Sequence, residues 1–386
     1  MEIILGGRKK SRYAYGFDDV SLVPSPVTID PEDVQINFLI GRFNFDLPIL
    51  ASAMDGVVDA GLAIELGRLG GLAVLNLEGL QTRYEKPQVA LRKIIQAPSS
   101  QVVKVIQEVY SQPLREELIE RRVKEIKAKG VPLAVSLTPS KVERFAKIAI
   151  SAGADILVVQ STVTTAKYVS SHSKALSFPR LCRSLRVPVI AGNCVTYPAA
   201  WELMAGGISA ILVGVGPGAA CTTRRVLGIG VPQVTAISEV ALARDEYYKK
   251  NKKYILVIAD GGMNTGGDIA KAIASGADAV MLGGALVRAR EAPGRGYHWG
   301  MATSHPGLPR GTRIKVGVKG SLKEVLFGPA KTDDGSLNLI GALRQTMGMC
   351  GARNIKEMQG KELVIAPSVL GEGKSLQRAQ SVGMGK

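Results

Sequence analysis

Aromatic residues are scarce, only 5% of a 386-residue chain. Proteins that grip single-stranded nucleic acid stack bases on repeated rings, and no such platform is legible here. No run approaches the roughly 18 consecutive apolar residues that a membrane-spanning helix needs, so no membrane association is expected. The opening residues, Met1 to Lys10, lack the charged-then-apolar order of a secretory leader. Cysteines number four (Cys182, Cys194, Cys221, Cys350) and show no CxxC pairing. That usage points to reduced thiols and a cytoplasmic protein. The three histidines (His172, His298, His305) are too scattered to suggest a metal cluster.

What is present is an ordinary globular composition, 46% hydrophobic and 21% charged, able to bury a large core. The net charge of +16 has two readings. Basic clusters at 8–12, 121–129 and 249–253 fit a nucleic-acid binder. However, the second cluster interleaves Glu125 at helical spacing, as a solvated helix face does. A small phosphorylated substrate accounts for the sign equally well, and no nucleic-acid partner is expected.

A rhythm begins after an irregular segment, 1–47. Short apolar runs recur at Pro48–Ser52, Gly71–Asn76, Pro132–Leu137, Asp155–Gln160, Pro188–Gly192, Ser209–Gly214, Tyr254–Asp260 and Asp278–Gly283. Each is continuous rather than alternating, as strands buried on both faces should be. Amphipathic stretches such as Lys141–Ala152, Tyr197–Gly206 and Thr265–Ser275 lie between them. A glycine phrase repeats at the helix-to-strand junctions: Leu66-Gly-Arg-Leu-Gly-Gly71, Ser151-Ala-Gly-Ala-Asp155, Ala205-Gly-Gly-Ile-Ser209 and Ser275-Gly-Ala-Asp278. Glycine there ends a helix at positive φ. One repeating unit around eight strands predicts an α/β fold, a (β/α)8 TIM barrel, as a single catalytic domain over 1–386. The alternative, a doubly wound sheet, wants a Gly-rich dinucleotide loop after its first strand, where this chain has Ser52-Ala-Met-Asp55. Two connections are overlong. Residues 77–130 read as a helical insertion, and 285–335, rich in Gly, Pro and basic residues, as a mobile active-site flap. Residues 336–352 read as the last barrel helix and 361–386 as a tail.

In a barrel the working loops follow the carboxyl ends of the strands. The most distinctive one is Gly214-Val-Gly-Pro-Gly-Ala-Ala-Cys-Thr-Thr-Arg224. Its glycines permit a tight fold, and it delivers Cys221 among hydroxyls and two arginines, Arg224 and Arg225, that suit a thiolate. The bland reading is a flexible connection with a small buried cysteine. Glycines 261, 262, 283 and 284 would admit a phosphate to backbone N–H groups at the usual barrel site, helped by a helix N-terminus. Asp260 beside them suits ribose hydroxyls.

The set Ser52-Ala-Met-Asp55, Gly192-Asn193, Gly214-x-Gly-x-Gly-x-x-Cys221-x-Thr223, Asp260-Gly-Gly262 and Met281-Leu-Gly-Gly284 resembles the IMP dehydrogenase/GMP reductase family, in order from about Tyr13 to about Ala352. The resemblance implies a covalent cysteine–purine intermediate and hydride exchange with a nicotinamide cofactor, NAD for a dehydrogenase. By position, Cys221 would be the nucleophile and Thr223 its neighbour. Ser52, Met54 and Asn193 would contact IMP. Asp260 would hold its ribose and Gly262, Gly283 and Gly284 its phosphate, with Met301 and Ala302 reaching the base from the flap. Gln160, Ser161 and Gly214 would meet the cofactor. The carbonyls of Gly216, Gly218 and Cys221 resemble a potassium (K+) site, completed by Glu372-Gly373 of a neighbouring subunit in a homotetramer or larger homo-oligomer.

Departures from the family pattern are informative. The regulatory tandem CBS module is missing, with 77–130 in its place, and the phrase Asn76-Leu-Glu-Gly79 resembles a CBS-less branch. Gln160 stands where an acid is usual, and Ala219 where a serine is common. Residues 299–323 contain no Asp or Glu, so the flap carboxylate of a GMP reductase is lacking, while Arg310 and Arg313 are available to activate water. These features favour oxidation of IMP to XMP. Cys221-Thr-Thr-Arg224, Met281-Leu-Gly-Gly284 and the missing module read like a reductase of GMP. A non-catalytic nucleotide-binding paralogue is the third reading.

Overall fold

The computed structural model describes residues 2–5, 8–172, 175–301, 312–367 and 373–383. Eight parallel strands close into a barrel in chain order. They are β1 (Ile49–Ala51), β2 (Leu72–Asn76), β3 (Leu133–Leu137), β4 (Ile156–Gln160), β5 (Val189–Cys194), β6 (Ala210–Val213), β7 (Leu256–Asp260) and β8 (Ala279–Leu282). All eight fall within the expected runs, except that β5 continues two residues further. The ring shuts where Leu282 pairs with Ala51.

The continuous hydrophobicity of the strands follows from two cores. Leu50, Leu72, Val74, Ile156, Val158, Leu212, Ile258 and Met281 point into the barrel and fill it. Their sequence neighbours, such as Ala73, Leu75, Leu157, Val159, Val213 and Val280, point outward to the helices. Alternate residues therefore serve opposite faces, and every position must be apolar. At the helix ends the predicted glycines take positive φ: Gly70 (89°), Gly153 (113°), Gly207 (94°) and Gly276 (116°). A side chain at these positions would strain the turn into the next strand.

Residues 1–47 hold more order than the sequence suggested. Phe38–Ile40 pairs antiparallel with Phe43–Phe45, and Phe38, Ile40 and Phe45 join the side chains inside the barrel. This ribbon plugs the barrel's interior. Val20–Leu22 pairs with Leu363–Ile365, so the beginning of the expected tail is stitched to the N-terminal segment.

The insertion is also smaller than expected. Helix Glu116–Lys127 packs between Ala60–Arg68 and Val142–Ser151, as the second barrel helix should. The true addition is a pair of helices, Pro87–Gln96 and Val102–Tyr110. They form a separate apolar cluster with Leu80 and the fully buried Trp299. Residues 285–335 likewise contain fixed structure: a ribbon of Tyr297–Trp299 with Arg313–Lys315, and a short helix, Leu322–Phe327. Among the described residues no helix is long and apolar enough to cross a membrane.

Candidate active site

The loops beyond the carboxyl ends of the strands enclose a cavity of about 420 Å³. Cys221 is the exposed one of the four free thiols. Burial pushes the Cys194 thiol up to about 12 and raises those of Cys350 and the half-buried Cys182 as well, which suits unreactive thiols. Cys221 lines the cavity, with Sγ 3.2 Å from the Thr223 hydroxyl and its N–H donating to the Gly218 carbonyl at 2.9 Å. Arg224 does not support the thiol. Its guanidinium donates to the carbonyls of Val215 and Val231 and so braces the loop's two ends.

Behind the thiol, three side chains meet. Asn193 Nδ2 donates to Asp260 Oδ2 at 2.8 Å, and Gln160 Nε2 donates to both Asn193 Oδ1 and Asp260 Oδ2 at 3.0 Å. Asp260 Oδ1 has no partner among these bonds, and the residue lines the cavity. Desolvation deep in the barrel mouth raises the Asp260 carboxyl to about 6, against the lowering effect of the Asn193 and Gln160 amides. Gln160, expected to meet a cofactor, has its amide committed to Asn193 and Asp260 instead. Gly214 is a packing glycine: an added Cβ would lie 2.2 Å from the Asp260 carbonyl. Ser161 lines the cavity with its hydroxyl held by Val163 and Thr164. The potassium set fits in part. Gly216, Gly218 and Cys221 share one loop, but the Gly218 carbonyl already accepts the Cys221 N–H, and Glu372 lies outside the described residues.

Ser52, Met54, Gly262, Gly283, Gly284 and Met301 are brought together around the same cavity. Cβ atoms at Gly283 and Gly284 would approach Met54 Sδ (3.0 Å) and His298 Nε2 (3.3 Å), so β1, β8 and the ribbon converge there. Arg310 and Ala302 lie outside the described residues. Arg313 is described, and is occupied elsewhere. Its Nη1 donates to the carbonyls of Ile94, Ile95 and Ala97 at the end of helix Pro87–Gln96. A cation there satisfies orphan carbonyls and complements the helix dipole. Arg313 is a clamp that ties the ribbon to the inserted helices, and it is absent from the cavity lining.

Three residues were not legible as site components. Buried Gln233 donates to the carbonyls of Val213 and Asp260, tying the ends of β6 and β7 together. Asp55 accepts from the Leu80 N–H and from Tyr110 Oη at 2.6 Å, and Tyr110 Oη in turn accepts from Trp299 Nε1 at 2.9 Å and lies 3.3 Å from Met301 Sδ. This chain runs from β1 through the insertion to the flap base, so Tyr110 positions Met301. Tyr110→Phe is expected to cost about 1–3 kcal/mol by orphaning buried polar atoms. Its KM for nucleotide should rise several-fold with little change in kcat, as melting and steady-state assays can check.

A family model described as the IMP dehydrogenase / GMP reductase domain matches residues 14–303. The chain belongs to that family. It is an oxidoreductase of the IMP dehydrogenase/GMP reductase type on a (β/α)8 barrel. An uncharacterized oxidoreductase of Mycolicibacterium smegmatis is 37% identical over 370 residues, covering 94% of this chain and 99% of its own length. The inosine-5'-monophosphate dehydrogenase of Methanocaldococcus jannaschii is 29% identical, covering 93% of this chain and 94% of its own. That alignment spans 484 positions against a chain of 386, so the dehydrogenase carries segments lacking here. The crystal structure of an IMP dehydrogenase/GMP reductase-like protein from Corynebacterium glutamicum superimposes with a TM-score of 0.88 at 36% identity, covering 95% of this chain and 97% of that one.

Proposed function

We propose that the chain oxidises IMP to XMP with NAD⁺ through a covalent bond between Cys221 and the purine. The observation that carries this reading is Cys221 with Thr223 in a cavity that also holds Asp260 and the glycine pair 283–284. Cys221 Sγ attacks C2 of the purine, which becomes tetrahedral and releases its hydride, leaving C2 bonded to sulfur. A nicotinamide cofactor, when bound, supplies the hydride acceptor. Ser161 and Thr162 at the cavity wall are the residues we assign to hold it. Water then adds to C2, the C2–S bond breaks, and the thiolate leaves with its electron pair. Thr223, within hydrogen-bond reach, steadies that thiolate. Arg310, with its guanidinium neutral in the closed site, is the candidate to take the proton of water; the absence of Asp and Glu from 299–323 supports this direction over reduction of GMP.

Reduction of GMP to IMP and ammonia is the second reading, favoured by the absence of a regulatory module between β2 and its helix. Nicotinamide absorbance decides between them. Purified protein with IMP and NAD⁺ is expected to accumulate reduced cofactor and XMP. Consumption of NADPH with GMP alone would establish the reductase, and silence in both cuvettes would leave a nucleotide-binding paralogue.

A further inference from the structure

His298 is 2% exposed, yet among the described residues neither of its ring nitrogens has a hydrogen-bond partner. Buried imidazoles are ordinarily paired, and an unpaired one is costly. It sits on the ribbon strand Tyr297–Trp299 and lines the nucleotide cavity, with Nε2 beside Gly284. Gly284 and Gly283 form the turn where backbone N–H groups are expected to meet phosphate. A tetrahedral anion in that place would give the orphaned ring an acceptor.

We infer that His298 reads the phosphate of the bound nucleotide, and that its imidazole takes up a proton as the phosphate arrives. This rests on the proposed purine mononucleotide substrate. Burial lowers the imidazole to about 4, with the Arg288 guanidinium on the turn Leu286–Arg288 adding to the effect, so the ring is neutral at pH 7 in the folded chain. The other charged groups around it among the described residues are committed. Asp55 on the β1 loop is bound by Leu80 and Tyr110, Arg313 on the paired strand caps helix Pro87–Gln96, and Lys315 lies over the Tyr297 ring. Arg288 itself donates to the Asn264 carbonyl. A phosphate dianion would therefore be the first negative charge to face the ring directly. At contact distance in a partly desolvated site it favours the imidazolium by several powers of ten.

The test is isothermal titration of IMP and of inosine into the wild type, His298→Ala and His298→Gln, in two buffers of different ionisation enthalpy near pH 7. The wild type is expected to prefer IMP and to take up part of a proton per IMP bound, with no net uptake for inosine. His298→Ala should weaken IMP by about 10- to 100-fold, the range for a charge-assisted hydrogen bond, and leave inosine unchanged. His298→Gln, which can donate but not take up a proton, should keep part of the preference and lose the uptake. IMP affinity unchanged in His298→Ala, or uptake unchanged in His298→Gln, would overturn the inference and leave the proposed function standing. A wild type that binds neither IMP nor GMP would remove both.

Discussion

Cys221→Ser is expected to lower turnover by ~10⁴-fold or more while nucleotide still binds within a few-fold of the wild type. A serine hydroxyl at neutral pH is a far weaker nucleophile than a thiolate, and among the described residues no base hydrogen-bonds this side chain to activate it. The described hydrogen-bond neighbours of Cys221 are the Thr223 hydroxyl and the Gly218 carbonyl. Neither takes a proton from serine. Binding should persist because Asp260, Asn193 and the glycine turns are separate from the thiol. Cys194→Ser is the control: that thiol is buried at the end of β5 and belongs to the core, so its loss should affect melting more than turnover. Rapid mixing with excess nucleotide, followed by mass analysis of the protein, would look for the covalent adduct. Full activity in Cys221→Ser would eliminate the covalent mechanism.

Asp260→Asn should separate stability from function. The folded carboxyl titrates near 6 and its reference value is 3.8, so between these values the folded chain holds more protons than the unfolded one. Its contribution to stability is full below about 3.8 and is lost as pH rises through about 6. At pH 7.5 the ionised group is a partly buried charge whose desolvation opposes folding by about 2–3 kcal/mol. Asparagine keeps an acceptor for Asn193 and Gln160 and removes the charge. The variant should therefore melt higher than the wild type at pH 7.5, with the difference vanishing toward pH 4. Its free oxygen is gone, however, and an amide NH2 cannot accept two ribose hydroxyls. Nucleotide affinity should fall by about 100-fold, consistent with charge-assisted bonds. For the wild type, affinity should decline as pH falls through about 6, because protonation spends the same acceptor. Melting curves and titrations at pH 5.0, 6.0 and 7.5 measure both effects.

Local signals were the most legible. Strands with both faces buried leave uninterrupted apolar runs, and helix ends at positive φ leave glycine, so the barrel could be counted before any coordinates. The loop carrying Cys221 was equally clear, because a tight turn demands glycine and the loop sets a cysteine among hydroxyls at a strand's end. Side-chain commitments were not legible. Arg313 and Arg224 read as cations available for chemistry, but each guanidinium is spent on carbonyls that only the folded chain brings near. Gln160 read as a weakened cofactor contact and instead completes a triangle with Asn193 and Asp260, across 33 and 100 residues of sequence.

The sequence by itself determined the barrel, the strand ends that carry the candidate site, and the loop that presents the exposed cysteine, since periodicity and turn chemistry are local properties. Tertiary structure alone decided which polar groups are paired. It joined Asp55, Tyr110 and Trp299 into one chain, made helices 87–110 the support of the flap base, and left the His298 ring buried with no hydrogen-bond partner among the described residues. Hydrogen-bond satisfaction depends on groups far apart in the chain arriving at about 3 Å, a distance that no residue pattern encodes.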